Sequence, residues 1–269
     1  ILFLLLQYHK KYETSSIILN AFGAIMCVLP LLNLNQWEIL TLWCSFSFTF
    51  RILVFLRLMS FTDHLAHQYS FRRACILGTI GFPVILLMSQ AYFPGFVMAI
   101  VSILWIDFII EHRGAPRSDN QKKLYGYIVV TLSYAAGVLF YLITLDTGSQ
   151  NIVGNVETSS MILQLIQKVT TYIYGILIML GSIVIPTSEF IGSIPVVCFV
   201  GILILLLTIT ALILYFRRKI YQISYFPLAC LIYAFVSIIV IISGRSQYGI
   251  EYLRSSRYVV ETTILLLGN

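Results

Sequence analysis

Runs of about 20 apolar residues alternate with short polar stretches along the whole chain. They predict membrane-spanning helices near 16–34, 39–59, 74–92, 95–111, 124–145, 190–216 and 223–243, with partial spans at each end. The segment 146–189 breaks this rhythm. Asp146 to Ser160 is polar and rich in Gly, Asn and Ser, which predicts a loop. Met161 to Ile185 is apolar enough to span, but Gln164, Gln167, Lys168, Thr170 and Thr171 make its first half amphipathic. Such residues are costly against lipid, so the segment is read as lying along the interface or re-entering. Pro83, Pro186, Pro195 and Pro227 fall inside or at the edges of apolar runs and are expected to kink or end helices.

The pattern implies an all-α fold: a polytopic transmembrane helical bundle of about 7–9 spans, forming a single integral membrane domain over residues 1–269. No internal repeat, low-complexity segment or linker divides it. Composition agrees, since 59% of the residues are hydrophobic and only 10% are charged, against roughly 25% charged in soluble domains. The chain opens on Ile1-Leu2-Phe3-Leu4-Leu5-Leu6 without an initiator Met and closes in Ile264-Leu265-Leu266-Leu267. Both ends read as helices cut partway, which implies a fragment of a longer protein.

Charge adds an orientation. The net charge of +6 comes mostly from short loops, so membrane lipids, not nucleic acid, are the expected partners. Lys10 and Lys11 lie in one loop, Arg72 and Arg73 in another, and Arg113, Arg117, Lys122 and Lys123 in a third, while the turns at 33–38 and 92–95 carry no Lys or Arg. Basic loops stay in the cytoplasm, so this alternation places them there. With 161–185 not spanning, Arg217-Arg218-Lys219 is cytoplasmic and Gly244–Tyr258 is external; a spanning 161–185 would exchange the two. Cys27, Cys44, Cys198 and Cys230 lie within apolar runs and Cys75 starts one. None has metal-ligand spacing, so packing thiols are expected.

Three constellations could carry chemistry. In and just after Gly244–Tyr258, Glu251, Arg254, Tyr258 and Glu261 recur at helical spacings of three, four and three, and Arg257 stands four before Glu261. These charges would pair with one another at the headgroups or form an anion site. In the site reading, Arg245, Arg254 and Arg257 hold a phosphate bidentately while Tyr248 and Tyr258 stack on a sugar or lipid head. Arg51 and Asp107 each lie about twelve residues into an inward-running span, about 18 Å deep, and are expected to form an intramembrane charge pair. Asp63, His64 and His67, with His112 in the next loop, lack ligand spacing, and no metal or cofactor is expected. Gly-x-Ser-x-Gly, Walker-type, Rossmann and His-Glu-x-x-His patterns are absent.

From about residue 124 onward the order of features is an apolar span, a polar loop, and a half-polar stretch ending in Leu180-Gly181-Ser182. A long helix closing on basic residues follows, then another span, then Gly244-Arg245, Gly249 and Ser256-Arg257-Tyr258. This order resembles uncharacterised bacterial polytopic inner-membrane proteins thought related to GT-C-type membrane glycosyltransferases. The likeness is at the level of pattern and covers the C-terminal half. It implies an enzyme of cell-envelope glycan assembly in the cytoplasmic membrane, handling a polyprenyl-phosphate-linked sugar at the outer face through Arg245, Tyr248, Glu251, Arg254, Arg257 and Tyr258. Such enzymes place an acidic catalytic residue in an early external loop. Glu38 is the only early external acid here, so either the catalytic part lies upstream of Ile1 or the analogy fails. The alternatives are a transporter or flippase working through Arg51 and Asp107, and a non-catalytic membrane subunit or receptor.

Overall fold

A computed structural model describes residues 45–89, 92–112, 117–144, 161–185, 194–245, 253, 262–266 and 268. The expected span at 16–34, the N-terminal partial span and Glu38 lie outside them. The described elements are helical, with no strand among the described residues. They are α1 (Ser45–His67), α2 (Phe71–Ile76), a π turn (Leu77–Gly81), α3 (Phe82–Ser89), α4 (Phe93–His112), α5 (Arg117–Thr144), α6 (Met161–Gly181), α7 (Ile194–Arg217) and α8 (Phe226–Arg245). Four stretches among the described residues are long and apolar enough to cross a membrane: Phe93–Glu111, Gln121–Phe140, Ile194–Arg217 and Phe226–Gly244. These are consistent with an integral membrane protein.

Aromatic packing fixes the central helices. The ring of Phe55 on α1 lies 5.6 Å from that of Phe96 on α4 and 4.4 Å from that of Tyr233 on α8, and Phe96 lies 5.1 Å from Tyr233. Edge-on and tilted aromatic pairs of this kind add to the stability that burial supplies. Above this triad Arg51 sits over Tyr92; below it Asp63 meets Tyr225. Numbers therefore rise together along α1 and α4 and fall along α8, so α8 runs antiparallel to both.

The α2–α3 segment packs along α5 in the same direction, Gly78 against Val130 and Ser133, and Gly137 against the ring of Phe82. Pro83 explains the π turn between α2 and α3. It has no N–H to offer the preceding turn and its ring crowds the carbonyl four residues back, so the helix widens there. Two carbonyls of the π turn are met from α5: the Ser133 hydroxyl donates to Gly78 O at 2.5 Å and the Tyr134 hydroxyl to Leu77 O at 3.2 Å. Pro94, Pro195 and Pro227 each fall at the second residue of a helix, where a missing N–H costs nothing.

Two elements extend beyond the apolar runs that announced them. α1 continues past residue 59 to His67, and α5 begins at Arg117, inside the stretch expected to be a loop. In both cases buried polar contacts, described below, keep the helix going where hydropathy fails. The half-polar segment after residue 160 is a helix packed extensively on α7. Gly201 faces the Leu177 carbonyl and Gly181 the Val197 carbonyl, each where a Cβ would stand only 2.0 Å from the oxygen. Small residues let these two backbones meet closely, so α6 is a packed, antiparallel partner of α7 and not a helix lying by itself in the interface. Its apolar part, Val169–Gly181, is shorter than a span.

Hairpin geometry then sets the ends. α7 leads through Arg218 and Lys219, which takes a left-handed φ of 53°, into a 3-10 turn at Ile220–Gln222 and the start of α8. His67, at the end of α1, donates from Nε2 to the carbonyls of Tyr221 (3.2 Å) and Gln222 (3.1 Å). Arg72, Arg73, Lys122, Lys123, Arg217, Arg218 and Lys219 thus gather at one end of the bundle, here termed the basic end. Gly244, at the far end of α8, lies at the opposite one.

Candidate functional site

The most polar buried feature among the described residues lies at the basic end, where α1, α4, α5 and the start of α8 meet. Asp107, 7% exposed, comes from the penultimate turn of α4. Its Oδ2 accepts the Tyr127 hydroxyl at 2.8 Å and faces the Lys123 ammonium at 2.7 Å; its Oδ1 accepts the Tyr225 hydroxyl at 3.1 Å. Lys123 also donates to Ala66 O at 3.3 Å and to Glu111 Oε2. The three ammonium protons therefore have three acceptors. Tyr225 precedes α8, and its phenol is held protonated, its pKa raised chiefly by burial and next by the Asp107 charge.

A second carboxylate completes the arrangement. Asp63 Oδ1 accepts the Tyr225 backbone N–H at 2.6 Å and Oδ2 accepts the Ser224 hydroxyl at 2.9 Å. Ser224 Oγ in turn accepts the Phe226 N–H at 3.1 Å. Ser224, two residues before Phe226, thus caps the start of α8 through its side chain, and a carboxylate from α1 takes the backbone N–H of Tyr225, next to the N–H groups that the helix leaves open. The negative charge also lies where the helix dipole favours it. The Tyr215 hydroxyl closes the junction by donating to Ser224 O at 2.9 Å. Each carboxylate oxygen of Asp63 and Asp107 accepts at least one donor, so the cluster holds its helices together.

The expected partnership of Arg51 with Asp107 is replaced here. Arg51 is buried with its guanidinium 4.1 Å over the Tyr92 ring, a cation–π contact. Tyr92 directly precedes α4, and Asp107 stands fourteen residues beyond Phe93, about 21 Å along the axis. The depth estimate fails because α1 continues to His67. Counted from the basic end, Arg51 is sixteen residues deep and Asp107 five. Arg245 ends α8; Tyr248, Glu251, Arg254, Arg257 and Tyr258 lie outside the described residues.

Sequence reasoning placed Lys123 among loop charges and passed over Tyr127, Ser224 and Tyr225. Two signals pointed to them. Asp107 and Glu111 are four apart, as are Lys123 and Tyr127, so each pair shares a helix face. Ser224 stands just before an apolar run that carries Pro at its second position, a helix-start pattern. No protein-family model, curated protein or solved structure matches the chain.

Proposed function

We propose that the chain is a polytopic inner-membrane protein of seven to nine spans whose basic end faces the cytoplasm and whose working face is the opposite one. On this reading the outward stretch from Gly244 to Tyr258 handles a polyprenyl-phosphate-linked sugar in cell-envelope glycan assembly, in the manner of a GT-C-type glycosyltransferase. The observation that supports it is the course of α8. The helix starts at Asp63 and Asp107 among the basic residues and delivers Gly244 and Arg245 to the other end. Retention of basic residues on the cytoplasmic side makes that other end external. Three arginines there, Arg245, Arg254 and Arg257, suit a phosphate, and Tyr248 and Tyr258 a sugar. The transporter alternative required Arg51 and Asp107 at one depth, and they are about 21 Å apart along the bundle.

Thermal unfolding of the detergent-solubilised protein with and without polyprenyl phosphate tests the reading. The parent is expected to be stabilised by the lipid phosphate, and Arg257→Gln to lose that stabilisation while folding normally. An equal ligand shift in parent and variant would sink the proposal.

A further inference from the structure

A groove of about 380 Å³ runs between α1 and the α2–α3 segment. It is a different feature from the buried cluster and from the opposite face. Its walls are apolar: Leu58 and Phe61 on one side, Ile76, Leu77, Ile80 and Val84 on the other. Ile76 and Ile80 are exposed, Ile80 to 58%, which places the opening on the outside of the bundle. The floor is built by the π turn. Gly81 lies close enough to Leu58 that a Cβ there would stand 3.7 Å from its side chain, and 2.8 Å from the Tyr134 hydroxyl. The helix Pro83 widens is therefore also the wall that shapes the groove.

Two basic side chains line the same groove. Arg57 and His64 are seven residues apart on α1, hence on one face and about 10 Å apart along the axis, with His64 nearer the basic end. Both are exposed, and neither forms a hydrogen bond or ion pair with any described residue. A cation at the edge of an apolar surface, without an anion from the described residues, can take one from its surroundings. The ligand that answers both features at once has a phosphate for Arg57 and His64 and a hydrocarbon chain for Ile76, Ile80 and Val84. Guanidinium binds phosphate through paired, charge-assisted hydrogen bonds, and an imidazole N–H adds a donor. The volume falls within the range of small-molecule sites, about 300–1,000 Å³. The position near the basic end matches the leaflet in which anionic headgroups attract basic residues.

We infer that this groove binds one anionic phospholipid, its headgroup phosphate held by Arg57 and His64 and an acyl chain laid along Ile76, Ile80 and Val84. The protein selects for net negative charge here because a zwitterionic headgroup carries its own cation to neutralise the phosphate.

The test is native mass spectrometry of the full chain released from nanodiscs of phosphatidylglycerol or phosphatidylcholine, with retained lipid counted per protein. The parent is expected to retain phosphatidylglycerol over phosphatidylcholine. Arg57→Gln should weaken phosphatidylglycerol retention about tenfold, the scale of one charge-assisted contact. Ile80→Trp, which fills the groove without touching the charges, should lower retention of both lipids. Arg218→Gln, an exposed basic residue at the same end, should leave retention unchanged and serves as the control. Equal retention of the two lipids by the parent, or unchanged phosphatidylglycerol in Arg57→Gln, overturns the inference. A loss in Arg218→Gln as large as in Arg57→Gln does so too, since it would show general surface charge. Binding of glycerol phosphate without chains, at the strength of the whole lipid, would remove the groove from the account.

Discussion

The bundle is joined in two different ways at two places. At the basic end, α1, α4, α5 and α8 meet through charge: two carboxylates, an ammonium and two phenols, mutually satisfied and buried. Between α6 and α7 the joint is made by absence. Gly181 and Gly201 leave room for the facing carbonyls, and no charged side chain is buried there among the described residues. In lipid the second kind of joint is the general one, since apolar side chains gain nothing by leaving acyl chains for each other and close backbone contact supplies the attraction. The first kind is costly unless complete, because an unpaired charge in a low-dielectric interior loses its hydration without recompense. The two joints should therefore fail differently. The polar one should collapse when a single member is removed; the glycine seam should fail when something is added.

The largest effect is expected at Asp107. Asp107→Ala leaves the Lys123 ammonium buried with only the half-exposed Glu111 for a counter-charge, and deprives Tyr127 and Tyr225 of their acceptor. Breaking a buried pair in this way costs about 3–5 kcal/mol. Asp107→Leu combined with Lys123→Met removes both charges and should recover most of that loss. Denaturant unfolding in mild detergent reads both; a double variant as unstable as the single one would show that the charges are not coupled. Arg51→Gln combined with Asp107→Ala should recover nothing, as the two residues stand at different depths.

The seam comes next. Gly201→Ala places a Cβ 2.0 Å from the Leu177 carbonyl oxygen and 2.8 Å from its carbon. These are backbone atoms that can yield only if the helices part, so the cost is expected at about 1–3 kcal/mol, the range for overpacking. Gly244→Ala is the matched control, because among the described residues no atom beyond its chain neighbours and its own helix backbone lies within 4 Å of the added methyl. It should be neutral or slightly stabilising, alanine being the better helix former. A loss at Gly244 equal to that at Gly201 would mean that helix propensity, not contact, sets these effects.

The comparison also shows why the two joints were unequally legible in the sequence. The four long apolar helices at Phe93–Glu111, Gln121–Phe140, Ile194–Arg217 and Phe226–Gly244 follow from the apolar runs, because lipid forces the backbone to satisfy itself locally. The seam was half visible, as Leu180-Gly181-Ser182 stood out but its partner Gly201 lay among apolar residues with nothing to mark it. The polar cluster was invisible as a cluster. Asp63, Asp107, Lys123 and Tyr225 come from four elements spread over more than 160 positions, and only tertiary packing brings them together. Hydropathy assigned Lys123 to a loop because a lysine ends an apolar window. It cannot register that a carboxylate sixteen residues away in sequence, and 2.7 Å away in space, makes the same lysine a core residue.

The smallest effect tests the polar joint from within. Glu111 follows Asp107 by one helical turn, and both meet the Lys123 ammonium. The side chains differ in surroundings: 9% of Asp107 and 51% of Glu111 is exposed. Water screens an exposed pair, and holding two long side chains in register costs entropy, so such contacts contribute about 0–1 kcal/mol. Glu111→Gln should therefore lower stability by less than about 1 kcal/mol, while the buried Asp107, chemically the same group, costs several. Salt separates the two further. Raising the ionic strength from 0.01 to 1 M shortens the screening length from about 30 to 3 Å. It should erase the small Glu111→Gln loss and leave the Asp107→Ala loss nearly unchanged. The same unfolding assay at both salt levels decides it. If the two losses shrink together, Asp107 is reached by water and the joint is an interfacial ion pair instead of a buried one.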